Sequence, residues 1–102
     1  MAHEEFFRDL EGQSRLRVVI VTERGKVKRF IVQLETLIGE KWTPVARYDT
    51  AHGFAHLDIL HPKRAQDKVR VLENDFNRAL EIAFADLLAN AGSYISQYLK
   101  EI

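Results

Sequence analysis

The stretch RLRVVIVTERGKVKRFIVQLETLI, residues 15–38, decides the fold. Its first half, Arg15–Arg24, is rich in β-branched residues, which pack well on a pleated surface, and reads as a strand. Arg24-Gly25 is a turn signal, and a two-residue loop there sets Glu23 opposite Lys26, a favourable cross-strand pair. Lys26–Ile38 is then the second strand of a hairpin. Two strands joined this tightly pair antiparallel, because a parallel pair needs a long crossover.

Working outward, Gly39-Glu40 suits a second tight turn with positive φ at its first central residue. KWTPVARYDT, residues 41–50, is the third strand. Pro44 cannot donate to a ladder, so it predicts an edge-facing position or a bulge. FAHLDIL, Phe54–Leu60, is the fourth. Residues 61–72 read as an irregular, basic connection. On the N-terminal side, residues 3–10 allow a short helix with Phe6, Phe7 and Leu10 on one side.

From about Asn74 the period changes. Phe76, Leu80, Ala83, Phe84, Leu87, Ala91, Tyr94, Ile95, Tyr98 and Ile102 recur at three- and four-residue steps, one apolar stripe of a long helix. Asn74 or Asp75 can cap its start. Gly92 lies inside the pattern and costs about 1 kcal/mol relative to Ala. The expected fold is α+β: one domain over residues 1–102, a four-stranded antiparallel meander with a long C-terminal helix packed on one face. Val18-Val19-Ile20-Val21 does not alternate, so both faces of the first strand ask for burial. The helix covers one face. The other falls to the N-terminal segment or to a second subunit, which makes a homodimer an expectation.

Composition narrows the function classes. The 102 residues are 46% hydrophobic and 29% charged, the balance of a globular chain rather than a disordered one. Fifteen basic residues offset fifteen acidic ones, so no strong overall field steers the molecule toward nucleic acid. Cysteine is absent, which excludes disulfides and thiolate chemistry. No secretory signal and no membrane-crossing apolar run is visible, and the expectation is a soluble, cytoplasmic protein.

The candidate site is RYDTAHGFAHLDILHPKR, residues 47–64, which holds three of the four histidines together with Asp49 and Asp58. Strand alternation sets His56 and Asp58 on one side. Pairing through the Thr50–Gly53 turn brings Asp49, His52 and His56 to one end of the sheet, with His61 further along. Three chemistries fit. A divalent metal can take imidazole and carboxylate ligands from Asp49, His52 and His56. Metal-independent acid–base chemistry on RNA can use His52 and His56 as the acid and base. Asp49 would orient one of them, and Arg47 would bind phosphate. Lys63, Arg64, Lys68 and Arg70 extend the basic patch, and Tyr48, Phe54 or Trp42 can stack a base. In the third reading Asp49 caps the turn and the histidines are structural.

The pattern RYDxAHGFxHxD, placed after two hairpins and before a C-terminal helix, resembles a group of small uncharacterised prokaryotic proteins. More distantly it is similar to the TumE-type proteins of toxin–antitoxin pairs. The matching positions are Arg47, Tyr48, Asp49, His52, Gly53, His56 and Asp58. The resemblance implies a toxin-like component acting on RNA, with an antitoxin-type protein as partner. The alternatives are a non-catalytic interaction module, homodimeric or antitoxin-like, and a small metal-binding protein.

Overall fold

A computed structural model describes residues 1–102. It is α+β, with one antiparallel sheet and one C-terminal helix. The strands are β1 (Ala2–Leu10), β2 (Ser14–Glu23), β3 (Lys26–Ile38), β4 (Lys41–Asp49), β5 (His56–Ile59) and β6 (Asp67–Arg70), and the helix is α1 (Phe76–Lys100). The six strands lie in sequence order, each hydrogen-bonded to the next.

The expected four strands are thus six. Residues 3–10 form β1 rather than a helix, paired residue for residue with β2 from Ala2↔Thr22 to Leu10↔Ser14. An eight-residue helix is marginal in water, whereas β2 offers a full edge of backbone donors and acceptors. The segment 61–72 likewise contains β6, which satisfies the outer edge of β5. β1 therefore extends the sheet and does not cover the second face of β2.

The inner hairpins follow the local sequence. Glu23 faces Lys26, and both loop residues, Arg24 and Gly25, have positive φ, as a right-twisted two-residue turn requires. Gly39 has φ +62° in the next turn. Pro44 sits at a register shift, with Leu34 opposite Ala46 and Glu35 opposite Pro44, so Val45 is the extra residue of a bulge.

Asp75 caps α1, its carboxylate accepting from the Asn77 N–H at 2.9 Å. The helix runs through Gly92 unbroken. Its buried residues are Ala79, Ala83 and Leu87, spaced four apart. The two alanines let the helix backbone approach β3 and β4 closely. They pack with Leu16, Val18, Phe30, Val32, Leu34, Ala46, Tyr48 and Leu57 in one core. Phe76 meets Phe30 edge to face, with ring centroids 6.4 Å apart. No helix is long and apolar enough to cross a membrane.

The register fixes what lies on the face away from the helix. One cross-strand row runs Phe7, Arg17, Gln33, Arg47, Asp58 and Lys68 across all six strands. The next runs Glu5, Val19, Ile31, Asp49, His56 and Arg70. The second face is therefore largely polar, interrupted by Val19, Val21 and Ile31 near the middle and by Phe7 on β1.

Candidate functional site

The site forms where β4 ends and β5 begins. Asp49 is opposite His56, and Arg47 is opposite Asp58. The connection turns tightly: the Gly53 N–H donates to the Thr50 carbonyl at 3.1 Å, and Gly53 has φ +83°. The Asp49 Oδ1 accepts from the Ala51 N–H at 3.0 Å, the local turn bond expected of Asp here. Thr50 turns inward, its hydroxyl oxygen accepting from the Phe30 N–H at 3.0 Å. This anchors the turn to β3.

The same Asp49 Oδ1 lies 2.8 Å from His56 Nε2. A carboxylate there calls for a proton on Nε2. His56 is 1% exposed and its Nδ1 is buried without a partner. Above it lies the exposed His52 ring, stacked at 5.6 Å between centroids, with Phe54 at 5.8 Å from the same imidazole. Arg70 in turn sits 4.5 Å over the Phe54 ring. The corner is thus layered, with a carboxylate and an imidazole inside and an imidazole, an aromatic ring and a guanidinium outside.

Arg47 is held rather than free. Its Nε is 3.3 Å from Asp49 Oδ2, its Nη2 is 3.3 Å from Asp58 Oδ2, and its Nη1 donates to Gln33 Oε1 at 3.2 Å. Gln33 Nε2 donates to Glu35 at 2.6 Å, and Glu35 accepts from Arg15 Nε at 2.8 Å. The Arg15 guanidinium ends the relay, 4.0 Å from the ring centres of both Phe7 and Trp42. Lys68 Nζ is 3.5 Å from Asp58 Oδ1. Two carboxylates thus balance two cations around a buried imidazole.

Asp49, His56 and Asp58 can each present one ligand atom within 4.8 Å of the others. This buried group can hold a metal, and it takes Asp58 in place of the expected His52. On the Asp49 side a pocket of about 230 Å³ opens between Val19, Arg29, Ile31, Thr50 and Ala51. His61 does not join the corner. It bonds Glu101 at 2.7 Å and Asp67 at 3.0 Å, and Arg64 bonds Glu101 at 2.8 Å. The Asp67 bond leads in raising the His61 pKa, while Arg64 and then His61 lower that of Glu101. That cluster ties the end of α1 to β6.

A family model described as "Domain of unknown function (DUF7718)" matches residues 1–102. The chain belongs to the DUF7718 family. No curated protein and no solved structure shows a match to it. The DUF7718 chain therefore carries its functional evidence in its own geometry. Asp58 was legible as a neighbour of His56 on one strand face, but its contact with Arg47 depends on register. The polar alternation of Gln33 and Glu35 along β3 was the available signal for the rest of the relay. A third contact group had no local signal: Tyr48 and Tyr94 both donate to Asp86 Oδ2 at 2.6 Å.

Proposed function

We propose that the corner is an acid–base site of a toxin-like protein that acts on RNA in the cytoplasm. The carrying observation is the Asp49-held imidazole of His56 stacked against the exposed ring of His52, with centroids 5.6 Å apart. In this reading His52 takes the proton of a 2′-hydroxyl, and the freed oxygen attacks the adjacent phosphorus. A 2′,3′-cyclic phosphate forms as the bond to the 5′-oxygen breaks. His56, carrying a proton on each ring nitrogen at that step, gives the Nδ1 proton to the departing oxygen. Water then returns each imidazole to its starting state. For that transfer the His52 and Phe54 rings must move aside from Nδ1. Because Arg47 is the less exposed cation and reaches both Asp49 and Asp58, phosphate binding falls to Lys68 and Arg70 on the rim. Arg70 would swing off the Phe54 ring to do so, which frees that ring to stack a base. An antitoxin-type partner would act by covering this rim.

The test is purified protein incubated with single-stranded RNA, paired with growth of a bacterial host after induction. Wild type should cleave RNA to cyclic-phosphate ends, leave DNA intact, and arrest growth. His52→Ala, an exposed change that spares the core, should lower cleavage about 100-fold or more, the scale of a lost acid or base. Equal activity in wild type and His52→Ala, or none in wild type, would sink the proposal.

A second reading rests on a separate observation. Asp58 Oδ1 and His56 Nδ1 are buried without hydrogen-bond partners beside converging ligand atoms. A divalent cation on Asp49, His56 and Asp58 would be a small oxygen-and-nitrogen site suited to zinc or manganese. Equilibrium dialysis with Mn²⁺ or Zn²⁺ should then give one ion per chain in wild type and in His52→Ala, and none in Asp58→Asn. Binding well below one ion per chain, or loss with His52→Ala, contradicts this ligand set.

A further inference from the structure

We propose that β1 pairs with β1 of a second copy, giving a two-fold dimer with one continuous sheet. β1 is the outer edge of the sheet, and its residues are exposed except Leu10. Natural edges are usually blunted by shortness, proline, bulges or charged side chains, lysine above all; β1 carries charges, but of both signs, which a second copy can match. The opposite edge, β6, has four residues and carries Lys68 and Arg70. β1 has nine residues, no proline, no lysine and an unbroken register with β2. It also exposes Phe6 at 39% and Phe7 at 53%. An edge that long and regular is a template for another strand.

The sequence of β1 commits the occupant to a second copy and fixes the register. Along an antiparallel strand the outward-pointing amides alternate. In a two-fold pair each residue must therefore face one of the same parity, so the paired numbers sum to an even value. A sum of ten sets Glu5 against Glu5. A sum of fourteen sets Glu5 against Asp9. A sum of twelve opposes no like charges and gives the longest overlap. It pairs His3 with Asp9, Glu4 with Arg8 and Phe6 with Phe6, the two charged pairs occurring twice across the axis. Glu4, Arg8 and Asp9 make no ion pair within the chain, and His3, which lies 3.7 Å from Glu5, would exchange that exposed contact for Asp9. Opposed residues share a face, and Phe6 stands with Val18 on the helix side of the sheet. Both helices then lie on one side of a twelve-stranded sheet, and the polar rows of both copies run together on the other.

Sedimentation equilibrium of the full chain tests this. The monomer mass is 11.8 kDa, and the expected species is twice that. Glu4→Arg sets like charges opposite Arg8 on both sides of the axis and should return the mass to monomer. Adding Arg8→Glu exchanges the charges and should restore the dimer. Far-ultraviolet circular dichroism should stay unchanged throughout, since both sites are exposed. The chain has no native cysteine, so register can be read directly by cross-linking. Under diamide, which takes up the two hydrogens as two thiols join, Phe6→Cys should form an intermolecular disulfide far faster than Phe7→Cys. A monomeric wild type at 100 μM, a dimer indifferent to Glu4→Arg, or faster cross-linking by Phe7→Cys would overturn the proposal.

Discussion

Arg47→Ala should cost about 3 kcal/mol of folding stability, read as a lowered urea midpoint with an unchanged slope. The reason is what the guanidinium leaves behind. Asp58 is 2% exposed and Asp49 is 9% exposed, and Arg47 is the cation that reaches both. Removing one partner of a buried pair strands an uncompensated charge, which costs about 3–5 kcal/mol in general. Two features place this case at the low end. Both contacts are 3.3 Å, longer than a tight charge-assisted bond, and Lys68 remains 3.5 Å from Asp58. Lys68 is 44% exposed, so solvent screens much of its effect, and it cannot replace the guanidinium. Arg47→Lys keeps the charge but offers one head group where three nitrogens now contact Asp49, Asp58 and Gln33, so an intermediate loss is expected. In the Arg47→Ala/Asp58→Asn double variant the losses should not add, because Asp58→Asn removes the charge that Arg47→Ala strands. A loss below about 1 kcal/mol in Arg47→Ala would show that the network is solvated and not a buried device.

That network also marks where sequence reasoning runs out. The central hairpins were readable because Arg24-Gly25 and Gly39-Glu40 are turn chemistry, and Pro44 announces a bulge by lacking an N–H. The helix was readable because its stripe must be buried. β1 and β6 have almost no buried residues and hence no period to detect. Their existence is decided by backbone groups on β2 and β5 that need partners, which no side chain records. The same limit applies in the corner. Strand alternation placed His56 beside Asp58, and the turn placed Asp49 near His56. Whether His52 turns inward depends on the path of a short loop, and here it lies outside, leaving Asp58 as the third member of the buried group. Residues that share a strand face can be read from spacing; those joined across strands need the register.

The second large effect concerns Asp86, which holds the middle of α1 to the sheet by polar bonds as Asn77 does at its start, where the Asn77 Oδ1 accepts from the Val27 N–H at 2.9 Å. The Asp86 Oδ2 accepts from Tyr48 on β4 and from Tyr94 one face along the helix, and its Oδ1 accepts from Asn90 at 2.7 Å. Hydrogen bonds to a charged acceptor contribute about 1.5–3 kcal/mol each. Asp86→Ala strands the phenol of Tyr48, which is 5% exposed. The half-exposed Tyr94 can turn to water. An overall loss of about 2–4 kcal/mol follows. The same geometry predicts alkaline instability. Burial first, and then the bond to Asp86 and its charge, raise both phenol pKa values above the ordinary value of 10.0. Unfolded tyrosines lose their protons near pH 10 while the folded ones keep them, so above that pH the native state binds more protons. The contribution is therefore whole below about pH 10 and is lost as pH rises toward the folded values. Urea midpoints should be flat with respect to these two groups from pH 7 to 9 and fall from pH 10 to 11. Tyr48→Phe should flatten much of that fall, and Tyr94→Phe less of it, since solvent screens the more exposed phenol. A wild-type midpoint that holds from pH 10 to 11, or an equally steep fall in Tyr48→Phe, would mean that the phenols already ionise in the folded protein and that Asp86 does not clamp the helix in this way.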